Sequence, residues 1–181
     1  MMRWTCRSRG ARRFAQDQRG IALVEFAFVL PFLVLLFIGG FQLMDAISAY
    51  RKVGNTVRTL ADLTTQNTTI TASQADEILA ASQQVMAPYS PASAILRITQ
   101  VQFDAAGTAT VSWSRALNGT PYVTGSAFIA PPQIVQAGRY VVYSEIYYTY
   151  TPRIASTLIG TIPLSQTIYM SPRNSAFIAY N

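Results

Sequence analysis

The sequence contains no histidine and a single cysteine, Cys6, among 181 residues. Without histidine, neither a Ser-His-Asp triad nor the usual zinc ligand sets can be built. One cysteine cannot form an internal disulfide, so a domain exported to an oxidising compartment must be held together by its core alone. No phosphate-binding glycine loop or metal-ligand cluster is visible either. We therefore expect no catalytic activity, no metal and no cofactor.

Charge is also scarce: 12% of the residues are charged and 50% are apolar, and the mean hydropathy is +0.23. That hydropathy is too high for an ordinary soluble domain and indicates one strongly apolar segment. Six arginines and one aspartate give residues 1–20 a charge of +5, which leaves only +1 of the net charge of +6 for the rest of the chain.

A basic segment directly before an apolar run keeps an N-terminus in the cytoplasm while the following chain crosses the membrane. The alternative, a nucleic-acid-binding arm, would need a basic patch with interleaved aromatic residues further along the chain. The sequence has none, so we expect no nucleic-acid partner.

Residues 21–44 are apolar or glycine throughout, except for Glu25, Pro31 and Gln42. As a helix, residues 21–43 extend roughly 34 Å, enough to cross a bilayer core of about 30 Å. A cleavable secretory signal has a shorter core of about 7 to 15 residues, followed by a small-residue cleavage site. Cleavage near residue 48 is the alternative to a retained anchor.

Glu25 is the one charged residue within the apolar run. A carboxylate at the bilayer centre costs about 2.5–3.5 kcal/mol on insertion scales, so such a residue is a functional candidate. Cutting after Gly20 would remove the basic segment and give Ile21 a new α-amine, which Glu25 of a neighbouring chain could neutralise when helices pack side by side. The alternative is a Glu25 side chain that reaches the cytoplasmic headgroups.

The segment DQRGIALVEFAFVLPFL at residues 17–33 resembles the start of TadE-like pseudopilins, minor components of the tight-adherence (Flp-type) pilus machinery of bacteria. More generally, it is similar to the type IV prepilin signature of a basic leader ending in glycine and a glutamate at mature position five. The resemblance implies that a prepilin peptidase, a membrane aspartyl protease, cuts between Gly20 and Ile21. It also implies helix contacts with other pilins or pseudopilins through Glu25 and Phe26. Major pilins of this type are very short and usually have tyrosine after the glutamate, so Phe26 and the long chain favour a minor pseudopilin.

Pro31 lies ten residues after Ile21 in this helix. Proline removes a backbone donor and bends a helix, which membrane helices tolerate. We predict a helix kink at Pro31; a proline that is tolerated without a role in movement is the alternative.

Beyond the apolar run, spacings of three and four mark one face of a continuing helix. This face comprises Leu43, Ile47, Tyr50, Val53, Val57, Leu60 and Thr64, and the opposite face Asp45, Ser48, Lys52, Asn55, Thr59 and Asp62. We expect one helix from Ile21 to about Gln66, its outer half packed on its own domain, with a coiled-coil contact as the alternative.

The rest of the sequence predicts an α+β fold of pilin-like type, with helices on an antiparallel sheet. A second helix is expected over 73–86, with Ser73 as its N-cap. Strands are predicted at 95–103, 108–117, 139–150 and 164–170, and loops at 67–71 and 121–138. The first two strands form a hairpin in which Ala109, Val111 and Trp113 share one face.

Five tyrosines lie between residues 140 and 150, where they surround Glu145. Cross-strand aromatic packing explains them without a ligand, although a carbohydrate- or surface-binding role is the alternative. For Glu145 we expect a salt bridge to Arg139, Arg115 or Arg97 rather than catalysis, since no second carboxylate stands at a fixed spacing.

These features divide the chain into a basic cytoplasmic leader (1–20), a transmembrane helix (21–43), an amphipathic extension (44–66) and an extracytoplasmic α+β domain (67–181). We expect a single-pass protein of the bacterial inner membrane, with its C-terminal domain in the periplasm, that can enter a surface pilus. Its function would be pilus assembly through lateral helix packing after cleavage at Gly20, with no small-molecule substrate. The alternative is a signal-anchored binding module that keeps its leader.

Overall fold

The computed structural model describes residues 19–154, 156 and 160–181. The chain forms two compact units, residues 1–43 and residues 44–181. Of the predicted leader, residues 1–20, only the last two are described. The prediction that the leader is cytoplasmic therefore concerns residues outside the described part of the chain.

Helix α1 spans Arg19–Thr65, 47 residues, and confirms the long N-terminal helix. Its side chains from residue 20 to residue 37 are exposed all round, although nearly all of them are apolar. Within the described part of the chain, this is the one helix long and apolar enough to cross a membrane. The helix continues through Pro31 without interruption, and the kink stays a prediction.

The outer half of α1 packs on its own domain, as we expected. Its fully buried residues are Ala49, Val53, Thr56, Leu60, Ala61, Thr64 and Thr65. The predicted face is wrong in its first turns, because Leu43, Ile47 and Tyr50 are 62%, 40% and 50% exposed. The small side chain of Ala49 faces the core there instead, since it lets the helix approach the sheet more closely than isoleucine or tyrosine would.

Helix α2 spans Ala72–Gln83 and is followed by a 3-10 turn, Gln84–Met86. Its N-cap is Thr71, so the prediction of Ser73 is wrong. The Thr71 hydroxyl accepts from the backbone N–H of Gln74 at 3.3 Å, and the Gln74 side chain accepts from the N–H of Thr71 at 3.0 Å. This reciprocal capping box satisfies two otherwise unpaired donors, which Ser73 alone could not do.

The four-stranded sheet has the order β3-β2-β4-β5, and all its neighbours are antiparallel. Its strands are β2 (Ile95–Phe103), β3 (Ala109–Leu117), β4 (Tyr140–Tyr150) and β5 (Ile162–Met170). Together with α1 and α2 they confirm the α+β prediction. One face of the sheet packs against α1 and α2, and we call it the helix face. We call the opposite face the outer face.

A β-bulge at Ser112 corrects one predicted face of the hairpin. Gln100 pairs with Trp113 and the next residue of β2, Val101, pairs with Val111, so Ser112 is the extra residue. The bulge reverses the alternation: Trp113 joins the core of the helix face, whereas Ala109 joins the apolar cluster on the outer face. The prediction that Ala109, Val111 and Trp113 share a face is therefore wrong.

The predicted loop at 67–71 contains a short strand, β1 (Thr69–Ile70), which pairs in parallel with β6 (Ala179–Tyr180). Nearby, the backbone N–H of Ile178 donates to the Gln100 side-chain oxygen at 2.7 Å. The Trp113 indole donates to the Ile178 carbonyl at 3.1 Å. Segment 178–180 thus completes the core beside β1 and β2.

Residues 121–138 form an irregular connection, as predicted, with one 3-10 turn at Pro132–Ile134. Tyr122 and Phe128 from this segment pack on the outer face against Val101, Phe103 and Tyr143. The connection also lies along the edge of β3, where the N–H of Val111 donates to the Ser126 carbonyl at 2.9 Å. The outer face is therefore partly covered, and the β3 edge is occupied.

Candidate functional site

The residues predicted for processing and assembly lie close together at the described start of α1. Ile21 and Phe26 are 65% and 55% exposed, and Glu25 is exposed as well. Ile21 and Glu25 are four residues apart, so they lie one turn apart on the same helix face. A Cβ added to Gly20 would meet no atom of the described residues within 4 Å, so packing against that part of the chain does not require glycine there.

The side chains around these residues, from residue 20 to residue 37, are nearly all apolar and exposed on every side of the helix. A helix that is apolar all round suits lipid or a bundle of similar helices, not water. In such surroundings a carboxylate is stabilised only by a cation, a hydrogen-bond donor or the headgroup region. The arrangement can therefore direct helix association through one polar contact.

Asp45, which the sequence placed on the solvent-facing side of α1, joins a polar cluster with Tyr89 and Tyr150. Its carboxylate accepts from the hydroxyl of Tyr89 at 2.8 Å and from that of Tyr150 at 2.5 Å. The two rings meet edge to face, with centroids 6.0 Å apart. The face assignment of Asp45 was wrong because two buried tyrosines present their hydroxyls to it. This cluster fastens α1 to the end of β4.

Both tyrosines of the Asp45 cluster are held in their neutral form. Burial, followed by the hydrogen bond to Asp45, raises the pKa of Tyr150 well above its usual value. The same two causes, in the same order, raise the pKa of Tyr89. An ionised phenolate in this position would also face the negative charge of Asp45.

We predict that the domain loses stability above about pH 10, where tyrosines of the unfolded chain ionise. Since the folded pKa of Tyr150 is raised, the folded state then binds more protons than the unfolded state, and the free energy of unfolding falls as pH rises. Each such proton contributes a slope of up to about 1.4 kcal/mol per pH unit. In urea unfolding at pH 9 to 11, the free energy of unfolding should fall less steeply with pH for Tyr150→Phe than for the unmodified protein. Equal slopes would contradict a raised pKa of Tyr150.

A second polar cluster lies on the outer face around Glu145, which is fully buried. Arg97 lies directly opposite on β2 and forms a salt bridge with Glu145, which confirms one of the three predicted partners. The other carboxylate oxygen accepts from the hydroxyls of Tyr143 at 2.7 Å and Tyr147 at 3.1 Å. The Arg97 guanidinium carbon lies 4.5 Å from the ring centroid of Tyr122, which covers the pair.

The contacts of this Glu145 cluster indicate a structural role, since both carboxylate oxygens are occupied by side chains of the same domain. Burial, followed by the hydrogen bond to Glu145, raises the pKa of Tyr143. For Tyr147 the largest cause is the negative charge of Glu145 itself, which also raises its pKa. The cluster thus joins β2, β4 and the 121–138 connection.

The tyrosines of β4 confirm the prediction of aromatic packing. The ring of Tyr143 lies 4.9 Å from that of Tyr169 and 5.1 Å from that of Phe128, measured between centroids. Tyr148 and Tyr150 are buried in the core of the helix face. Most of the aromatic surface that a ligand would need is therefore used inside the domain.

Among the described residues, no group of three or more cysteines, aspartates or glutamates is placed to hold a metal ion. The acidic side chains of the two clusters are instead engaged by tyrosine hydroxyls and by Arg97.

The architecture defines a protein with an apolar N-terminal helix, compatible with a single-pass membrane anchor, that continues into an α+β domain. Residues 20–62 match the family model described as TadE-like protein, which confirms the resemblance found in the sequence. This match indicates that the chain has a role related to the tight-adherence pilus. No curated protein matches the chain, and no solved structure does.

Sequence reasoning missed the Asp45 cluster. Its three members are far apart in the chain, and an aspartate just after an apolar run is also what a solvent-facing position would show. The burial of Ala49, four residues after Asp45 and on the same side of α1, became evident only from the structure.

Proposed function

We propose that this protein is a minor pseudopilin that takes part in assembly of a tight-adherence (Flp-type) pilus. A prepilin peptidase removes residues 1–20, and the α1 helix then packs laterally against other pilins or pseudopilins. The carrying observation is the exposed apolar segment of α1, residues 20–37, whose one carboxylate, Glu25, lies one turn from Ile21 on the same face. The TadE-like match, which begins at residue 20, supports this proposal.

The physical basis of assembly is the neutralisation of two charges that are both unfavourable in lipid. Cleavage after Gly20 would leave an α-amine on Ile21, and Glu25 of a neighbouring helix would accept it. Lateral packing then buries the apolar surface of both helices together with the ion pair. Phe26 and its apolar neighbours supply the contact around that pair, and Pro31 adjusts the helix direction.

The proposed topology places the leader in the cytoplasm and the domain in the periplasm, with the helix in the inner membrane. The basic charge of residues 1–20 supports this orientation, since positive residues stay on the cytoplasmic side. The domain acts through packing and contacts with other proteins, not as an enzyme.

N-terminal sequencing of the protein extracted from bacterial membranes tests the proposal. We predict a mature chain that begins at Ile21, and an intact leader would overturn both the processing and the assembly mechanism. Gly20→Leu should keep its leader, because a bulky side chain obstructs the peptidase at the residue before the cut. Gly39→Leu is the matched control, since neither glycine has an atom within 4 Å of an added Cβ; it should be processed normally.

A further inference from the structure

A groove lies between β5 and the outer half of α1, and we call it the edge groove. It consists of two adjoining cavities of about 550 and 470 Å³, which share Arg58 and Ile168. The first cavity is lined on the helix side by Tyr50, Arg51 and Arg58, and on the strand side by Gln166, Thr167 and Ile168. Because three consecutive residues of β5 line it, the backbone of the strand borders the groove.

The outer edge of β5 is open. Among the described residues β5 pairs with β4 alone, and that register is unbroken over nine residues. The strand contains no charged residue, and its one proline, Pro163, is its second residue, so residues 164–170 contain neither. Natural edge strands are normally shielded by such residues, by a bulge or by a covering segment. The opposite edge of the sheet, β3, has such a cover in the 121–138 connection, so β5 is the edge that a further strand can join.

The helix wall of the edge groove is positively charged. Arg51 and Arg58 are seven residues apart, so they lie on the same side of α1, roughly 10 Å apart along its axis. Neither forms an ion pair with an acidic residue in the described part of the chain, whereas three other arginines do: Arg97, Arg115 and Arg173. Asp62, which lines the second cavity, is already paired with Arg173.

We propose that the edge groove binds an acidic, extended segment of a partner protein, which adds to β5 as a further strand. Backbone hydrogen bonds to residues 164–170 supply the affinity, and Arg51 and Arg58 select the charge. Alternate residues of a strand point the same way and are spaced about 6.6 Å, so carboxylates at every second position reach both guanidinium groups. A second copy of this chain does not suit the groove, because its own open edge, residues 164–170, carries no carboxylate.

This binding surface goes beyond the proposed assembly function, because it requires neither cleavage at Gly20 nor helix packing. A pilus component that uses it would hold its partner through the folded domain while α1 holds the filament or the membrane.

The test uses the full chain in a non-ionic detergent and two ten-residue synthetic peptides, one alternating valine with glutamate and one alternating valine with lysine. We expect the glutamate peptide to slow amide hydrogen exchange at residues 164–170 and to bind at least tenfold more tightly than the lysine peptide. A glutamate peptide with a central proline should bind at least tenfold more weakly than the peptide without proline, since proline has no backbone N–H to donate.

Charge-reversed variants complete the experiment. The double variant Arg51→Glu, Arg58→Glu should reverse the preference between the two peptides. The matched control Arg139→Glu, Arg153→Glu changes the net charge equally outside the edge groove and should retain the tenfold preference. Equal binding of both peptides, protection at β3 instead of β5, or full binding of the proline peptide would each overturn the proposal.

Discussion

Replacing Arg97 with alanine is expected to lower the free energy of unfolding by about 3 kcal/mol, the lower end of the range for breaking a buried ion pair. Glu145 is fully buried, and its carboxylate would lose its positive partner. The hydroxyls of Tyr143 and Tyr147 would continue to donate to the other oxygen. These two hydrogen bonds keep the loss from reaching the upper end of the range.

The matched control is Arg115→Ala, which breaks an ion pair with Asp76 whose two side chains are 34% and 52% exposed. An exposed pair contributes less than about 1 kcal/mol, because water screens its charges. Urea unfolding can be followed by the fluorescence of Trp113, which is 4% exposed, in a Trp4→Phe background. If both variants lost a similar free energy of unfolding, burial of the Glu145 cluster would not strengthen its ion pair.

Replacing Glu25 with glutamine is expected to abolish pilus assembly while the domain remains folded. Glu25 lies in the second turn of the apolar run, where a charge costs less than the roughly 2.5–3.5 kcal/mol of the bilayer centre. The loss of its pairing therefore weakens helix association by up to the order of a hundredfold. Glutamine retains hydrogen-bonding groups and nearly the same volume, but it cannot neutralise an α-amine. Surface pili can be counted by electron microscopy, and the unfolding of the extracted protein can be measured alongside.

Two controls separate this effect from a general loss of the protein. Glu77→Gln makes the same chemical change on the exposed surface of α2 and should leave both assembly and stability unchanged. Glu25→Asp keeps the carboxylate and should retain part of the pilus assembly that Glu25→Gln loses. Normal pilus numbers with Glu25→Gln would reject the pairing mechanism, whereas cleavage at Gly20 is judged separately by the N-terminal sequence.

Elements whose signal lies within a short stretch of sequence could be predicted. The apolar run and the spacing of Val53, Val57 and Leu60 placed α1 within two residues at each end. The hairpin around residues 104–107 followed from β-prone runs on both sides of a turn. Alternation in β4 also separated its two faces correctly, because Val142 and Ile146 meet the helices while Tyr143 and Glu145 lie on the outer face.

Features that depend on distant parts of the chain could not be predicted. A two-residue strand such as β1 has no periodicity, and its partner β6 lies more than 100 residues later. The bulge at Ser112 has no distinctive residue type, yet it reverses the orientation of every following side chain in β3. For the proposed assembly site, the sequence identified Glu25 as a carboxylate within an apolar helix. Its proposed partner belongs to another molecule, so this sequence could not identify that partner.

The position of Ile178 has a consequence for biosynthesis. Until the ribosome has passed this residue, the carboxamide of Gln100 and the indole of Trp113 lack the backbone groups that satisfy them, and a buried unsatisfied polar group costs about 1–3 kcal/mol. A nascent chain that has not yet reached Ile178 therefore carries a domain whose core is incomplete, and the core can close only after this residue has been added.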